Sequence, residues 1–263
     1  MDKTTFPAWI VFLSLPAFIL SSCEPCTLEN VTVLLPERMT ATIIQGSSTS
    51  KLIADYHYIP GTGRLDHITW SNHQTHYFEY DVSGRLRVVR RVMVDTRVQE
   101  ELWFHYEGDL VDRIIQVKRN LDYIYLEPLD STCTGHTRFE FEGMRVARET
   151  RYETGDERVA GEVIYEYDGK GNIISSISSD PRTSTGESVH MGYDRNKHPL
   201  SGLQYYFTGE SFVNNLLSKN MEEMGLEYSY ELKLNEYGYP DVITEKLGAA
   251  SSRITRYSYM TGQ

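Results

Sequence analysis

An aromatic residue, one intervening residue and a second aromatic residue recur along this chain at near-constant spacing. No other feature restricts the fold as strongly. The clear pairs are Phe78–Tyr80, Phe104–Tyr106, Phe139–Phe141 and Tyr165–Tyr167. Weaker copies are Tyr56–Tyr58, Met191–Tyr193 and Leu232–Leu234, and Tyr257–Tyr259 reads as the closing strand. Phe78 to Phe104, Phe139 to Tyr165 and Tyr165 to Met191 each span 26 residues. A fixed period of that length marks an array of one supersecondary unit. Alternate residues of a strand share a face, so both rings of a pair point one way and the residue between them points the other. Several pairs run into a polar turn with glycine, as in Asp81–Gly84, Glu107-Gly108-Asp109 and Asp168–Asn172. Glycine supplies the positive φ of a tight turn, while Asp and Asn bond their own backbone there. The unit is therefore a β-hairpin. One hairpin buries too little alone, so neighbours stack edge to edge. The expected fold is all-β, with antiparallel repeated β-hairpins forming a large curved sheet or half-open barrel. Glu79, Glu140, Glu166 and the row Arg85, Arg87, Arg91 are expected to face outward.

The pattern breaks in three places. Leu121 to His136 is longer and irregular, with Pro128 and Cys133 inside it. Arg182 to Glu187 reads as a Ser/Thr/Gly loop. Near 211–225 the spacing turns helical. Phe212, Leu216 and Leu217 share a helical face, Ser211 can cap and Gly225 can terminate, which predicts one short helix or ordered loop.

The N-terminus carries an address. Lys3 and the terminal amine precede the apolar run Ile10–Leu20, which suits a signal peptide and falls short of the ~20 residues a spanning helix needs. Leu20-Ser21-Ser22-Cys23 resembles a bacterial lipobox, in which cleavage precedes a lipidated cysteine. The expected organisation is a signal peptide over 1–22, a lipidated tether over 23–30 and one β-hairpin-repeat domain over 31–263. Cys23-Glu24-Pro25-Cys26 lacks the βαβ context of a redox motif and the further ligands of a zinc site. Cys26 and Cys133 remain, in an oxidising compartment, as a possible disulfide or as free thiols.

Composition narrows the function by exclusion. A formal charge of −11 leaves nothing to neutralise a run of phosphates, so nucleic acid is not an expected partner. With 40% hydrophobic residues and 19 tyrosines the chain is too apolar for a disordered acidic tail. The sequence contains no G-x-x-x-x-G-K-[ST], H-E-x-x-H or G-x-S-x-G. His73 and His76 read as surface or loop histidines; an i, i+3 pair on a strand points to opposite faces and makes a poor metal chelate. Asp168–Asn172 is a turn, since Lys170 occupies a ligand position of a calcium loop and Ser179 the closing one. No catalytic residue, metal site or cofactor is expected. The acids most able to form a buried pair lie in the irregular segments: Glu127, Asp130, Glu210, Glu222 and Glu223.

Phe78–Leu86 and Tyr165–Ile173 resemble the tyrosine-aspartate (YD, or Rhs) repeats of secreted bacterial proteins. With Asn235–Pro240, His198-Pro199-Leu200 and Leu217–Asn220, the arrangement from about residue 30 onward resembles a family of Gram-negative lipoproteins of unknown function with a porin-like fold. Met191-Gly192 and Leu232 depart from its aromatic pattern. The resemblance implies architecture and no activity. The expectation is a non-catalytic, lipid-anchored cell-envelope protein, held to the outer membrane through its N-terminal lipid, that binds or scaffolds a glycan or protein ligand. A carboxylate-dependent glycan hydrolase is the alternative, and an Rhs-type shell fragment the second. Metabolic labelling with a fatty-acid probe is expected to tag the wild type and leave Cys23→Ser untagged; equal labelling would overturn the anchor.

Overall fold

The computed structural model describes residues 33–122, 125–155, 158–180, 185–200, 213–248 and 251–261. The signal segment, Cys23, Cys26 and residues 210–212 lie outside them. Sixteen strands follow one another, and every one pairs antiparallel with the next. They are β1 (Leu34–Gln45), β2 (Ser48–Tyr58), β3 (Leu65–Trp70) and β4 (Gln74–Tyr80). Next come β5 (Leu86–Met93), β6 (Val98–Glu107), β7 (Leu110–Asn120) and β8 (Thr132–Glu142). Then follow β9 (Arg145–Glu153), β10 (Val159–Tyr167), β11 (Ile173–Asp180) and β12 (Thr185–Lys197). The last four are β13 (Asn214–Met221), β14 (Leu226–Leu234), β15 (Pro240–Leu247) and β16 (Ser251–Thr261). β16 returns to pair with β1, Thr255 opposite Ala41, so the sheet closes into a barrel where the sequence left it half open.

Every aromatic pair ends an even-numbered strand, and the pairs gather at one end of the barrel, here called the aromatic end. The register puts their rings on one common face: Tyr56 opposes Ile68, Phe78 opposes Val89 and Leu102 opposes Val89. This face is the inside. Leu200, which follows β12, packs on the core cluster built by β1–β7 and also lines a cavity walled by β12–β16. Only a residue within the lumen can touch both. Tyr56, Phe78, Phe104, Leu65, Leu86 and Ile114 fill the β1–β7 half.

The aromatic end is stitched. Asp81 Oδ1 accepts from the Ser83 and Arg85 amides, Asp168 Oδ1 from Lys170 and Asn172, and Asn235 Oδ1 from Tyr237 and Tyr239. These turns join β4–β5, β10–β11 and β14–β15. Four of the strand pairs left unjoined at this end are tied by tyrosine hydroxyls. Tyr58 donates to Pro36 O (2.7 Å), Tyr106 to Leu86 O (2.7 Å), Tyr167 to Val146 O (2.9 Å) and Tyr259 to Pro240 O (2.6 Å). Arginines cap the rings: Arg64 lies over Tyr80, Arg85 over Tyr106 and Arg145 over Tyr167. Arg85 and Arg145 also donate to the carbonyls of Gly108 and Asp168 in the next turn.

The outer face is charged. Arg38 pairs with Asp55, Glu79 with Arg90, Arg148 with Glu140 and Glu162, and Glu231 with Lys246. A charge on the lipid face of a spanning barrel costs ~2–4 kcal/mol at mid-bilayer for Arg or Lys. This outer surface therefore suits water.

Three expectations are corrected. Residues 214–221, expected as a helix or ordered loop, form β13, and 222–225 turn the chain into β14. A register shift between Gly192 and Tyr193 lets adjacent leucines diverge, with Leu216 on the lumen and Leu217 exposed. Arg91 does not continue the outward arginine row. The β4–β5 register slips between Tyr80–Leu86 and Glu79–Val88, so Arg87 is an extra residue and the alternation changes phase. Arg91 then opposes inward His76. Residues 185–187 of the expected Ser/Thr loop belong to β12, and 181–184 lie outside the described residues.

A stitched end predicts unequal glycines. Gly84 has φ +80°, and a Cβ there would overlap the Arg64 guanidinium, whereas Gly143 has φ +66° with open space around it. Gly143→Ala is expected to cost ~1 kcal/mol from left-handed strain alone, and Gly84→Ala ~0.5–1 kcal/mol more because Arg64 must also leave Tyr80. Urea unfolding measures both; equal losses would remove Arg64 from the stitching.

Candidate functional site

The lumen is filled asymmetrically, and the reason begins at the β12–β13 connection. Asp194 stands where Asp81 and Asp168 stand in their turns. Its Oδ1 accepts from the Asn196 amide two residues on, as in those turns. The second amide comes from Asn215, on the far side of an insert, at 3.0 Å. The turn motif is thus completed from both sides of the β12–β13 connection. Asn214 donates to Asn196 O and exchanges hydrogen bonds with Asn172, which fastens the insert's base to the β10–β11 turn. His198-Pro199-Leu200 then enters the barrel, with Pro199 fully buried.

Beside this segment lies a cavity of about 370 Å³. Tyr193, Tyr228, Tyr230 and Tyr257 supply its rings. Glu245 and Arg253 face each other across β15 and β16 and pair at 2.7 Å. Lys219, opposite Tyr228 on β14, adds a second cation. Asn215 is 1% exposed; its Nδ2 donates to Asp194 Oδ2, while its Oδ1 has no donor. Burial drives the His198 imidazole down to about 4 against the opposing pull of Asp194, so the ring is neutral near pH 7. The arrangement offers flat rings, one ion pair, one further ammonium and one unmatched acceptor buried in the wall, which suits holding a small polar ligand.

Two other polar groups face the lumen. Glu149, 1% exposed, accepts from Tyr165 Oη at 2.9 Å and from Arg151 Nε at 2.8 Å. On the opposite wall Trp70, His76 and Arg91 adjoin on β3, β4 and β5. Trp70 Nε1, His76 Nε2 and Arg91 Nε have no partner, while Arg91 reaches Glu100 at 3.2 Å. Burial first, and Arg91 second, hold His76 at about 4.

The histidines are thus separated. His73 occupies an exposed turn with φ 59°, whereas His76, expected at the surface, faces the lumen because its strand alternation matches Phe78 and Tyr80. Among the described residues no group of three or more His, Cys, Asp or Glu is placed to hold a metal ion. Cys133 is exposed on β8, with Sγ 3.7 Å from Gly135 O. Among the described residues the irregular acids each take partners of their own. Asp130 accepts from the Asn120 amide, and Glu223 from the Ser188 amide on another strand. Glu222 pairs with His190, and Glu210 lies outside the described residues. The lumen groups Lys219, Asn215, Glu245 and Arg253 were missed by sequence reasoning. Their signal was the departure at Met191, which lines the cavity where other pairs have a ring.

No protein-family model and no curated protein sequence matches the chain. Solved structures do. A porin-like protein from Bacteroides uniformis superimposes with a TM-score of 0.55 at 8% identity, covering 86% of this chain and 96% of that one. A porin-like protein from Bacteroides vulgatus does so with a TM-score of 0.51 at 10% identity, covering 87% and 99%. At these identities the likeness is one of fold.

The two lumen histidines predict an acid response. Both sit near 4 in the folded chain against an ordinary 6.5. Between those values the unfolded chain binds protons that the folded one refuses, so stability falls as pH drops from 6.5 toward 4. The melting temperature should decline from pH 6.5 to 5, and His76→Gln with His198→Gln should flatten that decline. An unchanged slope would mean that neither ring is held neutral.

Proposed function

We propose that the protein is a non-catalytic binding protein of the cell envelope, tethered through lipidated Cys23, whose barrel lumen holds a small polar ligand such as a glycan. The observation that carries this reading is the cavity on the β12–β16 side, which combines four tyrosines with paired and unpaired polar groups. Aromatic faces and a few placed polar groups are the usual make-up of a small-ligand site. A charged outer face suits a water-soluble barrel on a tether, and β1 begins at the aromatic end, where such a tether would join. Sheet closure leaves no free edge to extend into an Rhs-type shell.

Glycan hydrolysis is less well supported. It needs two carboxylates ~5–9.5 Å apart flanking one bond. Among the described residues lining the cavity the one carboxylate is Glu245, which already pairs with Arg253. Glu149 lies behind Tyr165 and Arg151 and does not line it.

Screening the purified protein on a glycan panel should give binding without release of reducing sugar. Tyr228→Ala should weaken that binding by about tenfold, since ring stacking contributes on the order of 1–3 kcal/mol where measured for planar ligands. Turnover abolished by one Asp or Glu substitution would replace this reading with the hydrolase.

A further inference from the structure

We infer that the lumen ligand is a sugar bearing an acidic group, with Lys219 reading its charge; this deepens the lumen-binding function proposed above and rests on it. The cavity's charges do not cancel. Glu245 is matched by Arg253 at 2.7 Å. Among the described residues no carboxylate lies within ion-pair distance of Lys219, which sits half-buried between Met191 on β12 and Tyr228 on β14. His198 adds no charge near neutral pH, because its burial keeps the ring unprotonated. A partly desolvated ammonium without a partner favours an anion more than the same group in water does.

Asn215 adds a second, opposite demand. Its backbone N–H and its Nδ2 both donate to Asp194, which fixes the orientation of the amide. Its Oδ1 is buried in the cavity wall and accepts nothing. A buried acceptor left unmatched is costly, so this position calls for an O–H or N–H donor. A bare inorganic anion would answer Lys219 and leave Asn215 unsatisfied. A neutral sugar would answer Asn215 and leave Lys219 unmatched. A hydroxylated ring with one acidic substituent answers both, and the cavity's rings offer flat faces for its C–H side. A volume of about 370 Å³ lies near the small end of the ~300–1,000 Å³ range of ligand pockets, which limits the ligand to one or two rings.

Calorimetric titration of the purified full chain with glucuronate, glucose 6-sulfate and glucose tests this. At least one of the acids should bind about tenfold tighter than glucose, and the two arms report which anion is preferred. Lys219→Met should reduce binding of that acid to the level of glucose while leaving glucose unchanged; Lys219→Arg should retain the preference. On the wild type alone, raising the salt concentration should weaken the acid and not glucose, which keeps the test decisive even if the variants fold poorly. Glucose binding as tightly as both acids, Lys219→Met weakening all three equally, or none of the three binding would overturn the inference. The lumen-binding function would then stand or fall separately, on the wider glycan panel and Tyr228→Ala.

Discussion

The hydrogen bond from a strand-end tyrosine to the carbonyl of the neighbouring strand is the contact on which the rest of the barrel depends. A hairpin turn ties two strands at one end only, and the other end must be held by something else. Here Tyr58, Tyr106, Tyr167 and Tyr259 each bridge a strand pair that no turn joins at the aromatic end. Each bond is made where burial has removed competing water, and burial also holds the Tyr58 and Tyr259 hydroxyls above the ordinary phenol value, hence protonated donors. The arginine over the ring adds a cation–π contact and, at Arg85 and Arg145, a bond to the following turn. Turn, tyrosine and arginine thus link neighbouring strands at these four places, and backbone pairing closes β16 on β1.

Once the rings are committed to the inside, the outside has little freedom. Cross-strand pairs of opposite charge cover it, and individually they contribute little, ~0–1 kcal/mol at exposed positions. Their value is solubility and register. Glu101 is the exception: it is 3% exposed on the outer face, yet it receives donors from Gln99, Trp103 and Arg119. Burial opposes its charge, but the donors from Arg119, Trp103 and Gln99 outweigh that and keep its carboxyl below the ordinary value. It anchors β5, β6 and β7 from outside, opposite the apolar core that anchors them from within.

The repeat made the strand pairs, the turn residues and the inward rings legible, because alternation and turn chemistry are local. What stayed hidden is non-local. Arg91 reads as outward from Arg85 and Arg87 until one extra residue in β5 reverses the phase, and no residue type announces that bulge. Leu216 and Leu217 mimic a helical face because a register shift at Tyr193 absorbs the mismatch. Closure depends on the pairing of β1 with β16, more than two hundred residues apart in the chain. The candidate site was half visible. Met191 and Leu232 break the aromatic pattern in the half of the barrel where the cavity opens. Lys219 and Asn215 are marked only indirectly, through Met191, since their direction follows from the register shift at Tyr193.

The placement of unmatched groups separates the two faces functionally. Outside, carboxylates and guanidiniums are largely paired with each other across strands, which leaves them little to offer a ligand. Inside, the β1–β7 half holds the apolar core cluster, with Trp70, His76 and Arg91 adding polar nitrogens that lack hydrogen-bond partners. The β12–β16 half differs in setting an unmatched acceptor and an unpaired ammonium beside a cavity of about 370 Å³ lined by tyrosines. An evolved core would remove a buried open acceptor and a lone ammonium if they served packing alone, because each lowers stability and neither is needed for closure. Their persistence beside a tyrosine-lined cavity is what makes the lumen, and not the broad outer surface, the place to look for this protein's ligand.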